Sequence, residues 1–266
     1  MTIEALEGRR YADRPYRVCR EKIAEFVDVT GDETERWDKV SPPGFAAALL
    51  FVVAPELLDD PLVTGAVIHG DQSFAWHRPI LVESDLLVSG TVDRVRSRGQ
   101  TAFVTFSLVA ADAESQVVEG RSTFLVGGLG APLEPVEQPG AAERAASVGI
   151  SGSMPSPRSA SRRDLVRYAA ATRDWNPIHW DRDTATEAGL GGIVVHGLLQ
   201  SAWLTQIAAT AASTERPLES ARFRYTAPLR PGQAAEVRGD MTGSEFDLSL
   251  IADGVATVSG RFRVAS

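Results

Sequence analysis

The sequence predicts an α+β fold of two antiparallel sheets, each wrapped around one long apolar helix. Three observations carry this. The chain uses one structural unit twice, with corresponding residues 140 to 153 positions apart. Each copy contains a helix that is apolar on nearly every side, and each copy then runs into a series of short strand segments.

In the first copy, "REKIAEFVDVTGD" (20 to 32) places Ile23, Phe26 and Val27 at helical spacing. The apolar helix follows as "GFAAALLFVVAPELL" (44 to 58). Four strand segments come next: "GAVIHGDQSFAWHRP", "DLLVSGTVDRVRS", "TAFVTFSLVAA" and "SQVVEGRSTFLV". Residues 127 to 157 are rich in Gly, Pro, Ala and Ser without hydrophobic period, which reads as a linker. Its glycine clusters fit neither a dinucleotide loop nor a nucleophile elbow.

The second copy repeats the order. "RRDLVRYAAATRD" (162 to 174) carries Leu165, Tyr168 and Ala169 on one face, and "GLLQSAWLTQIAATAA" (197 to 212) is the apolar helix. Its strands are "SARFRYTAPLRPG", "AAEVRGDMTG", "EFDLSLIAD" and "VATVSGRFRVA", with Asp253-Gly254 as a two-residue hairpin signal. An apolar helix beside a meander is buried when the sheet curls around it. Two such units can join edge strands into one continuous sheet, which removes two exposed edges. The expected organisation is a first unit at 1–126, the linker at 127–157 and a second unit at 158–266.

Composition narrows the function. Apolar residues make up 44% and charged residues 23%, as in a soluble globular protein. No apolar run reaches the length of a membrane span, so no membrane partner is expected. The N-terminal stretch is too acidic and broken for a secretory signal. Cys19 is the single cysteine, which fits a reducing cytoplasm. A net charge of −8 argues against nucleic acid as a partner. His69, His77, His179 and His196 show no zinc-like spacing, so no metal is expected.

The chemistry concentrates in "AATRDWNPIHWDRDTATEAGLGGIVVHGLL" (170 to 199). Aligned on Asp32 and Asp174, the first copy reads "GDETERWD" where the second reads "RDWNPIHWD". A loop needed only for folding would be needed in both copies. Pro177 fixes its own φ and biases Asn176 away from the helical region, which makes a stiff turn. Such a turn can bring Asp174 and His179 to one water molecule, a pair suited to general acid–base work. Either residue alone is also explained without chemistry, Asp174 as an Asx-turn former and His179 as a half-buried, satisfied histidine. The pair around Asn-Pro in one copy only favours chemistry. Gly197, at the start of the second apolar helix, leaves a backbone N–H unpaired where negative charge is favoured. It is the candidate oxyanion donor; glycine there also permits close packing. His196 reads as structural, and Trp175, Trp180 and Trp203 as packing or tunnel wall.

The stretch "YAAATRDWNPIHWDRDTATEAGLGGIVVHGLL" resembles the signature of the MaoC-like, or type 2, enoyl-thioester hydratases, matching at Tyr168, Asp174, Asn176, Pro177, Ile178, His179, His196 and Gly197. "SPPGFAAALLF" (41 to 51) and "VIHGDQSFAWHRPILVESDLLVSGTV" (67 to 92) resemble the dehydratase-type N-terminal hotdog of actinobacterial hydroxyacyl-thioester dehydratases. The resemblance implies a double hotdog fold and reversible hydration of a trans-2-enoyl thioester to the (3R)-3-hydroxyacyl thioester. It implies that Asp174 and His179 hold and activate the water, and that Gly197 N–H, with Asn176 beside it, binds the substrate. No cofactor is implied. The substrate is an acyl-CoA or acyl carrier protein thioester, whose chain runs between the hotdogs, with Phe45 and Phe51 as candidate walls. Arg222, Arg224 and Arg230 are candidates for the carrier's phosphates. Two hotdogs in one chain already form a pseudo-dimer, so a monomer suffices, though a further homodimer is common in that family.

One residue departs from the pattern. Arg173 stands where the family has glycine. It would be strained at positive φ, or it would point outward, or pair with Asp174 and lower its pKa. Two alternatives from other classes remain: a hotdog thioesterase, against which the Asn-Pro-x-His group argues, and a non-catalytic acyl-thioester binder, against which the intact Asp174 and His179 argue.

Overall fold

The computed structural model describes residues 1–127, 157–212 and 215–265. Most of the expected linker therefore lies outside the described residues.

The first unit begins with β1 (Arg10–Arg17), α1 (Arg20–Thr30) and α2 (Ala46–Leu58). Four strands follow: β2 (Val67–Trp76), β3 (Asp85–Arg98), β4 (Thr101–Ala111) and β5 (Gln116–Val126). The second unit has α3 (Arg162–Thr172), a short α4 (Arg182–Glu187) and α5 (Gly197–Thr210). It closes with β6 (Leu218–Tyr225), β7 (Glu236–Thr242), β8 (Glu245–Ala252) and β9 (Val255–Val264). All eight strands read from the sequence are present. Asp253 and Gly254 both adopt positive φ, as the β8–β9 hairpin turn requires.

All strand pairs are antiparallel, and the strands form one sheet in the order β1-β3-β4-β5-β2-β6-β9-β8-β7. The halves join at β2 and β6, from Asp71 opposite Arg224 to Ala75 opposite Ser220. This is the continuous sheet that the edge argument anticipated. The strand β1 was not anticipated. Its residues, RYADRPYR, are mostly exposed, with only Tyr11 and Tyr16 buried, and it lies at the sheet edge, where Pro15 is tolerated.

The helices α2 and α5 fill the two concave faces. Leu49, Leu50, Val53 and Ala54 of α2 are wholly buried, as are Leu199, Leu204, Ala208 and Ala209 of α5. Burying one such Leu or Val side chain is worth about 1.5–3 kcal/mol. The helices α1 and α3 pack against each other across the pseudo-twofold. Phe26 meets Tyr168 there, with ring centroids 5.9 Å apart. No helix among the described residues is long and apolar enough to cross a membrane.

Candidate active site

The end of α3 sets the position of Asp174. Ser161 and Asp164 form a reciprocal capping box at its start. Arg173 ends it in the left-handed region at φ 68°, just as Gly31 ends α1 at φ 66°. The two halves therefore use the same turn, and arginine occupies the conformation that favours glycine. No ion pair between Arg173 and Asp174 forms; the guanidinium instead lies over the Tyr16 ring, 5.7 Å from its centroid. Asp174 is left without a cation. It is 5% exposed, and burial raises its pKa to about 7, opposed only by the backbone N–H of Asn176.

The Asn-Pro turn delivers His179. Pro177–His179 form one 3-10 turn, to which the Asn176 carboxamide is tied by accepting from Ile178 N–H. Asn176 Nδ2 also donates to the Val67 carbonyl of β2 at 2.8 Å, which fastens the turn to the first half. Asn176 lines the cavity, but its carboxamide acts on the backbone at both ends. His179 Nδ1 donates to the Val194 carbonyl at 2.9 Å, since a carbonyl can only accept. Nε2 is then the bare acceptor. Burial lowers this imidazole's pKa to about 4, although the Val194 carbonyl pulls the other way.

His196 is the residue before α5 and is wholly buried. Its ring stacks on His179 at 3.7 Å, and its Nε2 lies 3.2 Å from the Asp174 carbonyl. It links the two expected site residues from behind, which accounts for its structural reading. Ligand atoms of Asp174, His179 and His196 lie within 4.8 Å of one another, close enough to consider a metal ion. His179 Nδ1 and His196 Nε2 already face the Val194 and Asp174 carbonyls, however, which leaves fewer nitrogens to serve as ligands. The same closeness allows a water to be held between the Asp174 carboxyl and the His179 imidazole.

These groups open on a cavity of about 160 Å³ between the two halves. Asp174, His179 and Gly197 line it from the second half, and Phe51, His69 and Phe124 from the first. Gly197 is the first residue of α5, and among the described residues its N–H meets no acceptor. A Cβ there would lie 2.8 Å from Tyr225 Cε1, so the glycine lets the Tyr225 ring close over the helix start.

Several expected positions are corrected. Phe51 reaches the cavity, but Phe45 is fully buried against Phe26, with centroids 5.6 Å apart. Trp203 is core, whereas Trp175 and Trp180 are half exposed and wall no tunnel. Arg230 does not face solvent as a phosphate ligand would. It is 9% exposed and donates to the carbonyls of Leu190, Gly192 and Ile193, bracing the segment that leads to α5. Arg230→Met should therefore destabilise the chain by about 2–3 kcal/mol, because carbonyls lose a charged donor. Arg222→Ala, on the exposed face, should stay within about 0.5 kcal/mol. Denaturant midpoints of the two variants check this.

The first half has an aspartate at the corresponding position. Asp32 lies partly buried beside Trp37, Arg36 and Arg158, and burial raises its pKa. When the aspartates are aligned, Trp37 falls at the position of His179, and an indole cannot accept a proton. His69 and Gln200 are cavity residues that the sequence did not single out.

A family model described as "MaoC like domain" matches residues 144–258, and one described as "FAS1-like, dehydratase domain region" matches residues 5–120. A UPF0336 protein of Streptomyces coelicolor is 33% identical over an alignment of 110 residues that covers 35% of this chain and 73% of that protein. HtdX of Mycobacterium tuberculosis superposes with a TM-score of 0.73 at 19% identity, covering 97% of this chain and 100% of that one. Another M. tuberculosis protein, reported to have a double hotdog fold, gives 0.62 at 14% identity, covering 97% and 96%.

Proposed function

We propose, since the chain belongs to the MaoC-like dehydratase family and has its double hotdog fold, that it hydrates trans-2-enoyl thioesters to (3R)-3-hydroxyacyl thioesters, and runs the reverse dehydration, with Asp174 and His179 as the catalytic pair. The observation that carries this reading is the buried Asp174–His179 pair, unbalanced by any cation, close enough to share a water and lining a largely apolar cavity.

Chemistry follows from the two environments. Burial keeps a proton on Asp174 up to about pH 7, while His179 is neutral with a bare Nε2. His179 takes a proton from water as its oxygen bonds to C3 of the enoyl group. The charge that moves to the thioester oxygen meets the Gly197 N–H and the positive end of α5. Asp174 then gives its proton to C2, and the imidazolium proton returns to the carboxylate. One water has been added across the double bond, and the pair is restored. Neither metal nor redox cofactor takes part in these steps. The thioester carrier is coenzyme A or acyl carrier protein.

The reading is tested with crotonyl-CoA and a longer trans-2-enoyl-CoA by loss of the conjugated enoyl absorbance, with a (3R)-specific dehydrogenase reporting the product's configuration. Loss with (3R) product supports it. Folded protein that binds both thioesters and turns over neither overturns it. Release of free thiol instead would mark a thioesterase.

Only the state carrying a single proton on the pair is active in either direction. The pH profile of kcat/KM should therefore be a plateau that falls on the alkaline side with an apparent pKa near 7 and on the acid side near 4, values that belong to the pair. A profile that keeps rising through pH 8 would mean that the ionised carboxylate is the working form.

A further inference from the structure

One residue of the cavity has no part in these steps. His69 belongs to β2, in the half without an acid–base pair. Along β2, Gln72, Phe74 and Trp76 face the core, so strict alternation would turn His69 outward. The register against β5 shifts between His69 and Asp71, and His69 becomes the partner of the buried Phe124. Cross-strand partners share a face. The bulge thus turns His69 inward, which is a known use of bulges beside active sites. Gly70 makes it feasible, because a Cβ there would come 2.5 Å from Leu125 Cδ1. The imidazole sits between Phe124 and Tyr225, at 4.9 and 5.2 Å between centroids, and Tyr225 is the ring that closes over Gly197.

Two side chains of this cavity keep a buried polar atom without a hydrogen-bond partner: His69 Nε2 from the first half and Gln200 Oε1 from α5. Gln200 already uses its amide nitrogen on the Val195 carbonyl. Most of the remaining wall is apolar, including Phe51, Ile68, Phe124 and Leu198. A buried polar atom left unpaired is costly, and a hydrocarbon acyl chain would leave both unpaired.

We propose that the cavity selects short acyl thioesters carrying a hydroxyl group on the acyl chain, with His69 and Gln200 as the specificity-determining residues; this rests on the hydratase reading above. A hydroxyl fits the donor inventory. It can donate to Gln200 Oε1, which only accepts, and at the same time accept from His69 in the tautomer that carries its proton on Nε2. A keto group cannot serve Gln200 Oε1. The size limit comes from the volume: about 160 Å³ is close to that of a cavity that takes a benzene-sized ligand, so the acyl group has about six carbons.

The test compares trans-2-hexenoyl-CoA with its 5-hydroxy and 6-hydroxy forms on wild type, His69→Leu and Gln200→Met. Saturated hexanoyl-CoA and its 5- and 6-hydroxy forms are titrated alongside for binding. Wild type should favour at least one hydroxylated substrate by about tenfold or more in kcat/KM. Each variant should lose that preference while keeping a cooperative thermal transition; Gln200→Met also gives up the bond to the Val195 carbonyl, so its melting temperature is not expected to rise. No preference in wild type, a preference that survives both substitutions, or an equal loss on all substrates would overturn the proposal. If no hexenoyl thioester is hydrated, the hydratase reading fails for this chain length and binding decides. A hydroxyl preference that depends on His69 then upholds the subsite, and equal binding of all three saturated thioesters removes it.

Discussion

Asp174→Asn is expected to lower kcat/KM for enoyl-thioester hydration by about 10²- to 10⁴-fold and, at pH 8, to make the protein more stable. The loss follows because asparagine has no proton to exchange with C2. His179→Gln should fall into the same range through loss of the base. The gain in stability follows from burial. The unfolded chain releases the Asp174 proton near the ordinary value of 3.8, whereas the folded chain holds it to about 7. Folding therefore binds more protons between these values, and the fold loses stability as pH rises through that window. Above pH 7 the buried carboxylate costs on the order of 4 kcal/mol, a cost that asparagine does not carry. Thermal unfolding of both proteins from pH 4 to pH 8 should show the variant's advantage growing with pH and vanishing near pH 4. A variant no more stable than wild type at pH 8 would mean that Asp174 has a counter-charge in solution, which would also make it a poorer proton donor.

Gly197→Ala should cost about 10²- to 10³-fold, mostly in kcat. The added methyl group would meet Tyr225 Cε1 at 2.8 Å and Cδ1 at 2.9 Å. The Tyr225 ring cannot swing away freely, because its hydroxyl bonds Ser201 at 2.8 Å and its face meets His69. The start of α5 has to shift instead, and with it the N–H proposed to meet the thioester oxygen. An interaction made with charge that develops only in the transition state shows in kcat rather than KM. If Gly197→Ala stays within a few-fold of wild type, that N–H is not the oxyanion donor.

The sequence carried the architecture well because the hydrophobic pattern is redundant. Two copies repeat the same periods, and α2 and α5 are apolar on nearly every side, a pattern that requires an enclosed helix. That Asp174 and His179 come together was legible because Asn176-Pro177 sets a local turn between them. What failed depended on distant contacts. Arg10–Arg17 pairs at an edge, where charged residues and a proline are allowed, so it shows little alternation. Arg230 resembles any surface arginine until the chain folds three carbonyls onto it. Trp175 and Trp180 lie beside Asp174 and His179 in sequence but are half exposed, a difference that the sequence does not mark. His69 was hidden most completely: a bulge inverts the period-two rule by which inward residues are found.

The unequal halves also bear on stoichiometry. With Trp37 in the place of His179, and Asp32 beside Arg36 and Arg158, the first half lacks the base proposed for the second. Symmetry-related hotdogs with matching loops would present two equivalent sites, and the occupancy of one could influence the other. A chain with one working site has no such internal coupling. Saturation with acyl thioester should then close at one equivalent per chain with a Hill coefficient of one, and any sigmoidal response would have to come from contacts between separate chains.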